Sequence, residues 1–350
     1  MTAPSLDVAA LSALPEDALD ARLRDFAREH GAEALPILAV LAAEGADRAV
    51  RRAAKRALYR LSQRGVTAPP RPAPRPVVER RPERAARAWL SGIDGSGSRA
   101  AWLLFEGGFG GTALCSLIVN DTVGIVDVAG GEITKKRLEA ELAALRASQK
   151  LPWVETEPAR AVGLVAEALA LHRARGTAPP AAFARWQRLF EGAAVAGSPV
   201  LPAADPALVE RSAGLLELPE MAGWFLEPEA VQADAVELLA ARESRLVVSD
   251  QIKAEREAAI VGRVIERELP PEARGRWARR LAEMALVFDA TGRTEPAALA
   301  RAAAARLADP GADARRHPFA QGLARRALDV AGEVASGRIK AADVSRKPGA

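Results

Sequence analysis

The spacing of apolar residues near the start of the chain predicts three short helices. Leu19, Leu23 and Phe26 recur at helical spacing and define the first. A second helix, ended by Gly45, is almost wholly apolar, so we expect it to be buried. Asp47 is well placed to cap a third helix. The buried stripe of this third helix consists of Val50, Ala54, Leu58 and Leu61.

From Trp89 onward, short apolar stretches separated by turn residues replace the helical pattern. Four stretches are typical of strands, and Gly95 to Ser98 between the first two is a hairpin signal. The four stretches are residues 89–94, 99–106, 112–120 and 122–131. A charged helix from Thr134 to about Ala147 follows. The sequence therefore predicts a four-stranded antiparallel meander covered by one helix.

The same alternation predicts which side chains face that helix. Residues two apart on a strand share a face, so Trp102 belongs with Leu104, and Leu117 belongs with Val119. We expect all four on the covered face. Their expected partners on the helix are Leu138, Leu142 and Leu145.

The remainder of the chain, beyond Pro152, has a helical pattern with Pro and Gly at the breaks. Eight segments are predicted: about 157–174, 179–191, 205–217, 228–242, 250–268, 271–290, 295–308 and 318–336.

Proline content divides the chain into domains. Six prolines between Thr67 and Arg87 exclude a regular helix or a central strand, so residues 66–88 are predicted to be an extended linker. The fold class we expect is mainly α with a small antiparallel β-domain, an α+β fold. The expected domains are a helical module at 1–65, the β-meander with its helix at 89–150, a helical domain at 151–338 and a polar tail at 339–350.

Residues 35–65 resemble about one unit of a HEAT-type helical repeat. The matching features are the apolar first helix, the short Gly-Ala-Asp turn, and the segment "AVRRAAKRAL" that opens the second helix. The resemblance implies that Asp47, Val50 and Arg51 lie at the turn and help one helical pair to stack on the next. Repeat arrays generally need about three units to be stable alone, and this match covers one.

A second resemblance, over residues 281–310, is to a single tetratricopeptide unit. Gly292 falls at that motif's turn, and Arg301 departs from it where the family has a large apolar residue. The other matching positions are Leu281, Met284, Ala285, Phe288, Ala297, Ala304 and Pro310. The resemblance implies a closely packed antiparallel helical hairpin.

Composition excludes several classes of protein. The chain is 49% hydrophobic and 27% charged, too apolar for a disordered chain and too charged for a membrane protein. The first ten residues lack a basic segment followed by an apolar core, so we expect no secretory signal and a cytoplasmic location. A single cysteine, Cys115, excludes an intramolecular disulfide framework and a multi-cysteine zinc site.

The basic charge is concentrated in one stretch. Residues 1–50 contain four arginines and nine acidic residues, whereas residues 51–88 contain twelve basic and two acidic residues. This asymmetry indicates an anionic partner, although a charged, solvated tether has the same composition. The candidate contacts with an anion or nucleic acid are Arg51, Arg52, Lys55, Arg56, Arg60, Arg64, Arg71, Arg75, Arg80 and Arg81.

Four carboxylates near predicted strand ends are the candidate metal ligands: Asp94, Asp121, Asp127 and Glu132. If they converged, they could hold Mg²⁺ for phosphoryl chemistry. The segment 92–106 resembles the first strands of a ribonuclease H-like nuclease, in which an Asp on the first strand binds metal. That fold has a helix after its third strand, and here a fourth strand follows directly.

Three hypotheses of function follow. The first is a non-enzymatic protein-interaction or scaffold protein, because repeat-like hairpins occur without a complete catalytic motif. The alternative is an RNA- or ribosome-associated protein that holds the anionic backbone through residues 51–88. The third is a metal-dependent hydrolase or nuclease on the β-domain. We expect a protein partner, with RNA as the alternative, and no cofactor, resident metal or membrane attachment.

Overall fold

Two units, residues 1–79 and residues 80–350, make up the chain in the computed structural model. The structure describes residues 6–7, 10–11, 14–44, 47–66, 83–107, 111–147, 151–243 and 250–344. No helix in this described part of the chain is both long and apolar enough to cross a membrane.

The first unit contains the three predicted helices: α1 (Glu16–His30), α2 (Leu35–Glu44) and α3 (Arg48–Gln63). Their shared core includes Leu23, Phe26, Leu38, Val50, Ala53, Ala57 and Leu61. The Asp47 side chain accepts a hydrogen bond from the Ala49 N–H at 2.8 Å, so the predicted helix cap is confirmed. We expected α2 to be buried, and the structure buries only one of its sides, with Leu35, Leu38 and Leu41. Val40 is 48% exposed, because the described neighbours of α2 pack on the side that carries Leu38 and Leu41.

The second unit begins with an antiparallel sheet of five strands. These are β1 (Arg84–Ser91), β2 (Ser98–Glu106), β3 (Thr112–Asn120), β4 (Gly124–Glu132) and β5 (Trp153–Thr156), in the order β4-β3-β2-β1-β5. The four predicted strands are present. The sequence did not predict β5, which returns to pair antiparallel with β1 and places Val154 opposite Leu90.

The sequence predicts domain boundaries at 88/89 and 150/151, and the sheet extends beyond both of them. β1 starts at Arg84, within the predicted linker 66–88. Pairing with β2 begins there, with Arg84 opposite Glu106, because the last proline of the linker is Pro82. Residues 67–82 lie outside the described part of the chain. The predicted division at 150/151 falls just before β5, and helix α5 (Pro158–Arg175) packs on the sheet.

The sheet is covered on both faces, which corrects the expected arrangement of side chains. Trp89, Leu104 and Leu114 face helix α4 (Lys135–Ala147), where Leu138 and Leu142 are buried. Leu117 lies opposite Ala101, and Val119 opposite Arg99, so these two side chains point to the other face. That face packs on α5 and on two 3-10 turns, Ala181–Arg185 and Gln187–Phe190, where the sequence predicted an α-helix.

The rest of the second unit is helical. Its helices are α6 (Pro206–Glu210), α7 (Gln232–Glu243), α8 (Asp250–Glu268), α9 (Pro271–Ala290), α10 (Thr294–Ala308), α11 (Pro318–Ala335) and the short α12 (Ala341–Val344). Four 3-10 turns connect them: Ser212–Glu217, Pro219–Met221, Pro228–Val231 and Ala314–Arg316. Their core surrounds Trp224, Leu281, Phe288 and Phe319. The expected α+β fold class is confirmed.

Helices α9 and α10 form the antiparallel hairpin that the sequence predicted. Gly292 has a φ of +75° at the turn, and Ala297 and Ala304 are fully buried where the helices meet. Arg301, the position that departs from the tetratricopeptide pattern, pairs with Asp289 across the hairpin. The likeness to repeat families remains a prediction.

Candidate functional site

The predicted basic tract is only partly available to a partner. Arg56 Nε donates to Asp20 Oδ1 at 2.9 Å, and Arg56 Nη2 donates to Glu16 Oε1 at 3.3 Å. Arg60 Nη2 donates to Asp20 Oδ2 at 3.1 Å. Two of the predicted contact residues therefore neutralise carboxylates of α1. This pairing joins residues about 40 positions apart, which helical spacing within α3 does not reveal.

The outward face of α3 carries the unneutralised charge of the tract. Arg52 and Lys55 are exposed, and no carboxylate of the described residues lies within 4 Å of either. Tyr59, the only tyrosine of the chain, lies one turn beyond Lys55 on the same face and is 66% exposed. Arg51 is half-buried and Arg64 is exposed just past the end of α3. Arg71, Arg75, Arg80 and Arg81 lie outside the described residues.

The four candidate metal ligands do not converge. Asp94 Oδ1 accepts hydrogen bonds from the N–H groups of Ser96 and Ser98, and Asp121 pairs with an arginine. Asp127 and Glu132 are exposed and lie five residues apart on β4. Among the described residues, no three His, Cys, Asp or Glu side chains are grouped so that they could hold a metal ion.

The cysteine and the histidines each have a local structural environment. Burial raises the pKa of the Cys115 thiol to about 12, so it is protonated at neutral pH. His172 Nε2 accepts from the Ile125 N–H at 2.9 Å, which leaves Nδ1 to donate to Thr177 Oγ1 at 2.8 Å. The His317 ring contacts the Ala303 carbonyl, and the His30 ring packs against Phe26. These contacts explain each side chain without a catalytic role.

A charged cavity that the sequence did not predict lies at one end of the sheet. Its volume is about 500 Å³, and its walls are α5, α9 and the residues at the ends of β2 and β3. Gly97, in the turn between β1 and β2, lines the cavity beside Asp121 and Arg280. Gly97 has a φ of +87°, and a Cβ there would overlap the Asp121 carboxylate and the Arg280 guanidinium. Glycine is therefore required where this turn meets the cavity.

Arg280 of α9 fixes two turns of the sheet at the inner end of the cavity. Its Nε and Nη2 donate to the two carboxylate oxygens of Asp121, each at 2.7 Å. It also donates to the carbonyls of Gly95 and Ser96. Since the residue is 6% exposed, these bonds serve a guanidinium that water scarcely reaches.

A second buried group, one turn along α9, ties the sheet to two helices. Glu283 Oε2 accepts from Arg99 Nη1 of β2 at 2.6 Å, and Arg160 Nη2 of α5 donates to Glu283 Oε1 at 2.7 Å. Burial alone would raise the pKa of the Glu283 carboxyl, but the two guanidiniums outweigh it and hold that pKa below its usual range. Glu283 is therefore ionised at neutral pH.

Toward the opening, the charges become accessible to solvent. Arg279 pairs with Glu167 of α5, and each side chain is 27% exposed. Arg276 pairs with Glu272, which is 90% exposed. Arg175, near the end of α5, is exposed and has no ion-pair or hydrogen-bond partner among the described residues. The cavity thus has fully paired charges inside and weakly held arginines at its mouth.

One sequence signal could have identified this cavity. Glu272, Arg276, Arg280 and Glu283 recur at helical spacing, yet the segment that carries them also supplies fully buried residues such as Leu281 and Phe288. When the opposite face of a helix is strongly apolar, a charged stripe faces either solvent or a buried polar partner. The sequence does not distinguish the two.

Comparisons with known proteins concern the C-terminal helices. A family model described as the Y4lR C-terminal helical domain matches residues 186–332. This range includes α6 to α10 and most of α11, and leaves out the sheet and α5. No curated protein and no solved structure matches the chain. The match agrees with the helical character of this region and names no activity.

Proposed function

We propose that this protein is a non-enzymatic interaction protein that binds an acidic segment of a partner protein through the outward face of α3. The observation that supports this most directly is the contrast within one helix. Arg56 and Arg60 are neutralised by α1, whereas Arg52 and Lys55 present charge to solvent, with no carboxylate of the described residues within 4 Å. Unneutralised basic charge attracts an acidic surface and accelerates its association.

Tyr59 adds an apolar component to the same face. Tyrosine and arginine are enriched at protein interfaces relative to the rest of the surface, and among the residues that dominate binding energy. At 66% exposure, the ring has most of its surface to bury against a partner. A face with two cations and one aromatic ring fits an acidic peptide that also carries an apolar side chain.

RNA is the second candidate partner, and Tyr59 favours it as well. Aromatic rings on a basic surface stack with unpaired bases, at about 1–3 kcal/mol per base. Such binding is mainly electrostatic, with a slope of log affinity against log salt of about −0.7 per phosphate contact for single strands. Nothing on α3 has the pattern of a sequence-specific reader, so preference among bases should be weak.

Affinity purification from the native cells tests both partners. The wild-type protein is compared with the Arg52→Gln/Lys55→Gln/Tyr59→Ala variant, and each sample is divided and treated with or without ribonuclease. A protein that co-purifies with the wild type, survives ribonuclease and is lost in the variant supports the leading proposal. Loss of the same material on ribonuclease treatment supports RNA instead.

The matched control is Arg22→Gln/Arg24→Gln on α1, which removes two exposed arginines away from the proposed face. The control should retain the partner. If control and variant lose it equally, net charge accounts for the capture, and the outward face of α3 has no specific role. If the wild type captures neither protein nor RNA, the proposed function fails.

A further inference from the structure

The cavity between the sheet, α5 and α9 has two chemically different sides. Leu164, Ala168 and Leu171 of α5 form an apolar side that continues to Ile93 and Val119. The opposite side belongs to α9 and carries Arg276, Arg279 and Arg280, while Arg175 lies at the end of α5. Its volume of about 500 Å³ falls within the range of about 300–1,000 Å³ that is usual for small-molecule sites.

The charges inside the cavity are already satisfied. Arg280 donates four hydrogen bonds, to Asp121 and two carbonyls, and Glu283 is held by Arg99 and Arg160. A ligand would have to break these buried contacts to use them, which is costly. The inner end therefore supplies shape and rigidity, and it is not where an ionic group would bind.

The mouth has surplus positive charge. Among the ionisable residues that line the cavity, five are arginines and four are carboxylates. Each carboxylate forms an ion pair with one of these arginines. Three of the four pairs lie in the walls of the cavity. The fourth joins Arg276 to the highly exposed Glu272, where water weakens the attraction. Arg175 has no partner among the described residues, and Arg276 has only this exposed one, so these two cations are the most accessible to a new anion.

We propose that this cavity binds a small amphipathic anion, with its apolar part against α5 and its carboxylate or phosphate group at Arg175 and Arg276. Guanidinium groups bind both kinds of anion in a bidentate manner, so the two share one recognition chemistry. A ligand placed in this way would contact α5, α9 and the sheet at once. This inference is independent of the partner proposed for α3.

Calorimetric titration of the full chain with three probes of equal tail length tests the proposal. The probes are octanoate, octyl phosphate and octylammonium. We expect at least one of the anions to bind with one-to-one stoichiometry, and at least tenfold more tightly than the cation. The stronger anion distinguishes a carboxylate ligand from a phosphate ligand. If neither anion binds, or if octylammonium binds as tightly, the proposal is overturned.

Variants on α5 locate the binding. Arg175→Gln should weaken binding of the anion about tenfold, whereas Arg173→Gln, an exposed arginine on the same helix that does not line the cavity, should leave it unchanged. Ala174→Glu adds a carboxylate at the lining and should abolish binding of the anion. All three positions are exposed, so folding should be preserved and is checked by circular dichroism. Equal weakening by Arg173→Gln and Arg175→Gln would show non-specific attraction and refute the site.

Discussion

The Arg280 guanidinium and the Asp121 carboxylate are joined by two hydrogen bonds of 2.7 Å, although 159 positions separate them in the sequence. The arginine lies on α9, and the carboxylate lies in the turn between β3 and β4. Both are largely excluded from water, with 7% and 19% of their side chains exposed. This pair and the neighbouring group around Glu283 connect the sheet to the C-terminal helices.

Replacing Arg280 tests how much this connection stabilises the protein. We expect Arg280→Met to lower the free energy of unfolding by about 3 kcal/mol, because the Asp121 carboxylate would remain without its counter-charge. Urea denaturation measures the change. Arg276→Met, one turn earlier on α9, removes a partner of the exposed Glu272 and should cost no more than about 0.5 kcal/mol. Equal costs would contradict the assigned role of Arg280.

Gly97→Ala should destabilise the turn between β1 and β2. The residue has a φ of +87°, and a Cβ would overlap Asp121 and Arg280, so we expect a loss of at least about 2 kcal/mol. Gly275→Ala is the control, since Gly275 is exposed within α9 with open space around it. That change should raise stability by up to about 1 kcal/mol. Thermal unfolding of both variants shows whether Gly97→Ala lowers the stability of the protein while Gly275→Ala raises it.

A double-mutant cycle tests the assignment of side chains to the two faces of the sheet. Leu138→Ala and Leu104→Ala should be coupled by at least about 0.5 kcal/mol, because both side chains belong to the same small core. Leu138→Ala and Leu117→Ala should be additive, because Leu117 belongs to the core on the opposite face. Coupling of Leu138 with Leu117 and not with Leu104 would invert the assignment.

His317 should make stability depend on pH. Burial lowers the pKa of this imidazole below its ordinary value of about 6.5, and a protonated Nδ1 would have no acceptor for its N–H. The unfolded chain therefore binds a proton more readily than the folded chain as the pH falls below about 6.5. Stability from this group is fully present above that pH and is lost below it.

The measurement compares wild type with His317→Gln at pH 7.5 and pH 5.5. Gln keeps an N–H that can donate to the Ala303 carbonyl, the contact that the His317 ring makes at 3.1 Å. Because other titrating groups affect both proteins, the difference isolates His317. We expect the wild type to lose more free energy of unfolding than the variant between the two pH values. Identical losses would mean that His317 is not held neutral.

The sequence predicted the elements well where local periodicity determines them. Helices α1, α3, α8, α9, α10 and α11 and the first four strands follow apolar stripes that need only a few neighbouring residues to be recognised. The cap at Asp47 was equally clear, because the capping interaction involves residues two positions apart. The hairpin turn at Gly95 to Ser98 could be identified from its composition.

The features that the sequence did not predict depend on distant residues. β5 is four residues long and is a strand because β1 offers an unpaired edge. The face on which Leu117 lies depends on the register between β2 and β3, which alternation within one strand cannot fix. The cavity was missed for the same reason: Arg99, Asp121 and Glu283 are unremarkable until the fold brings them together.

The buried group around Glu283 also has a consequence for the order in which the chain folds during synthesis. Arg99 and Arg160 leave the ribosome 184 and 123 residues before the carboxylate that joins them. Until Glu283 emerges, Arg99 of β2 and Arg160 of α5 lack the carboxylate that accepts their hydrogen bonds in the folded chain. Contacts of such long range form late and slowly. The packing of the sheet and α5 around this group is therefore completed only after synthesis has passed Glu283.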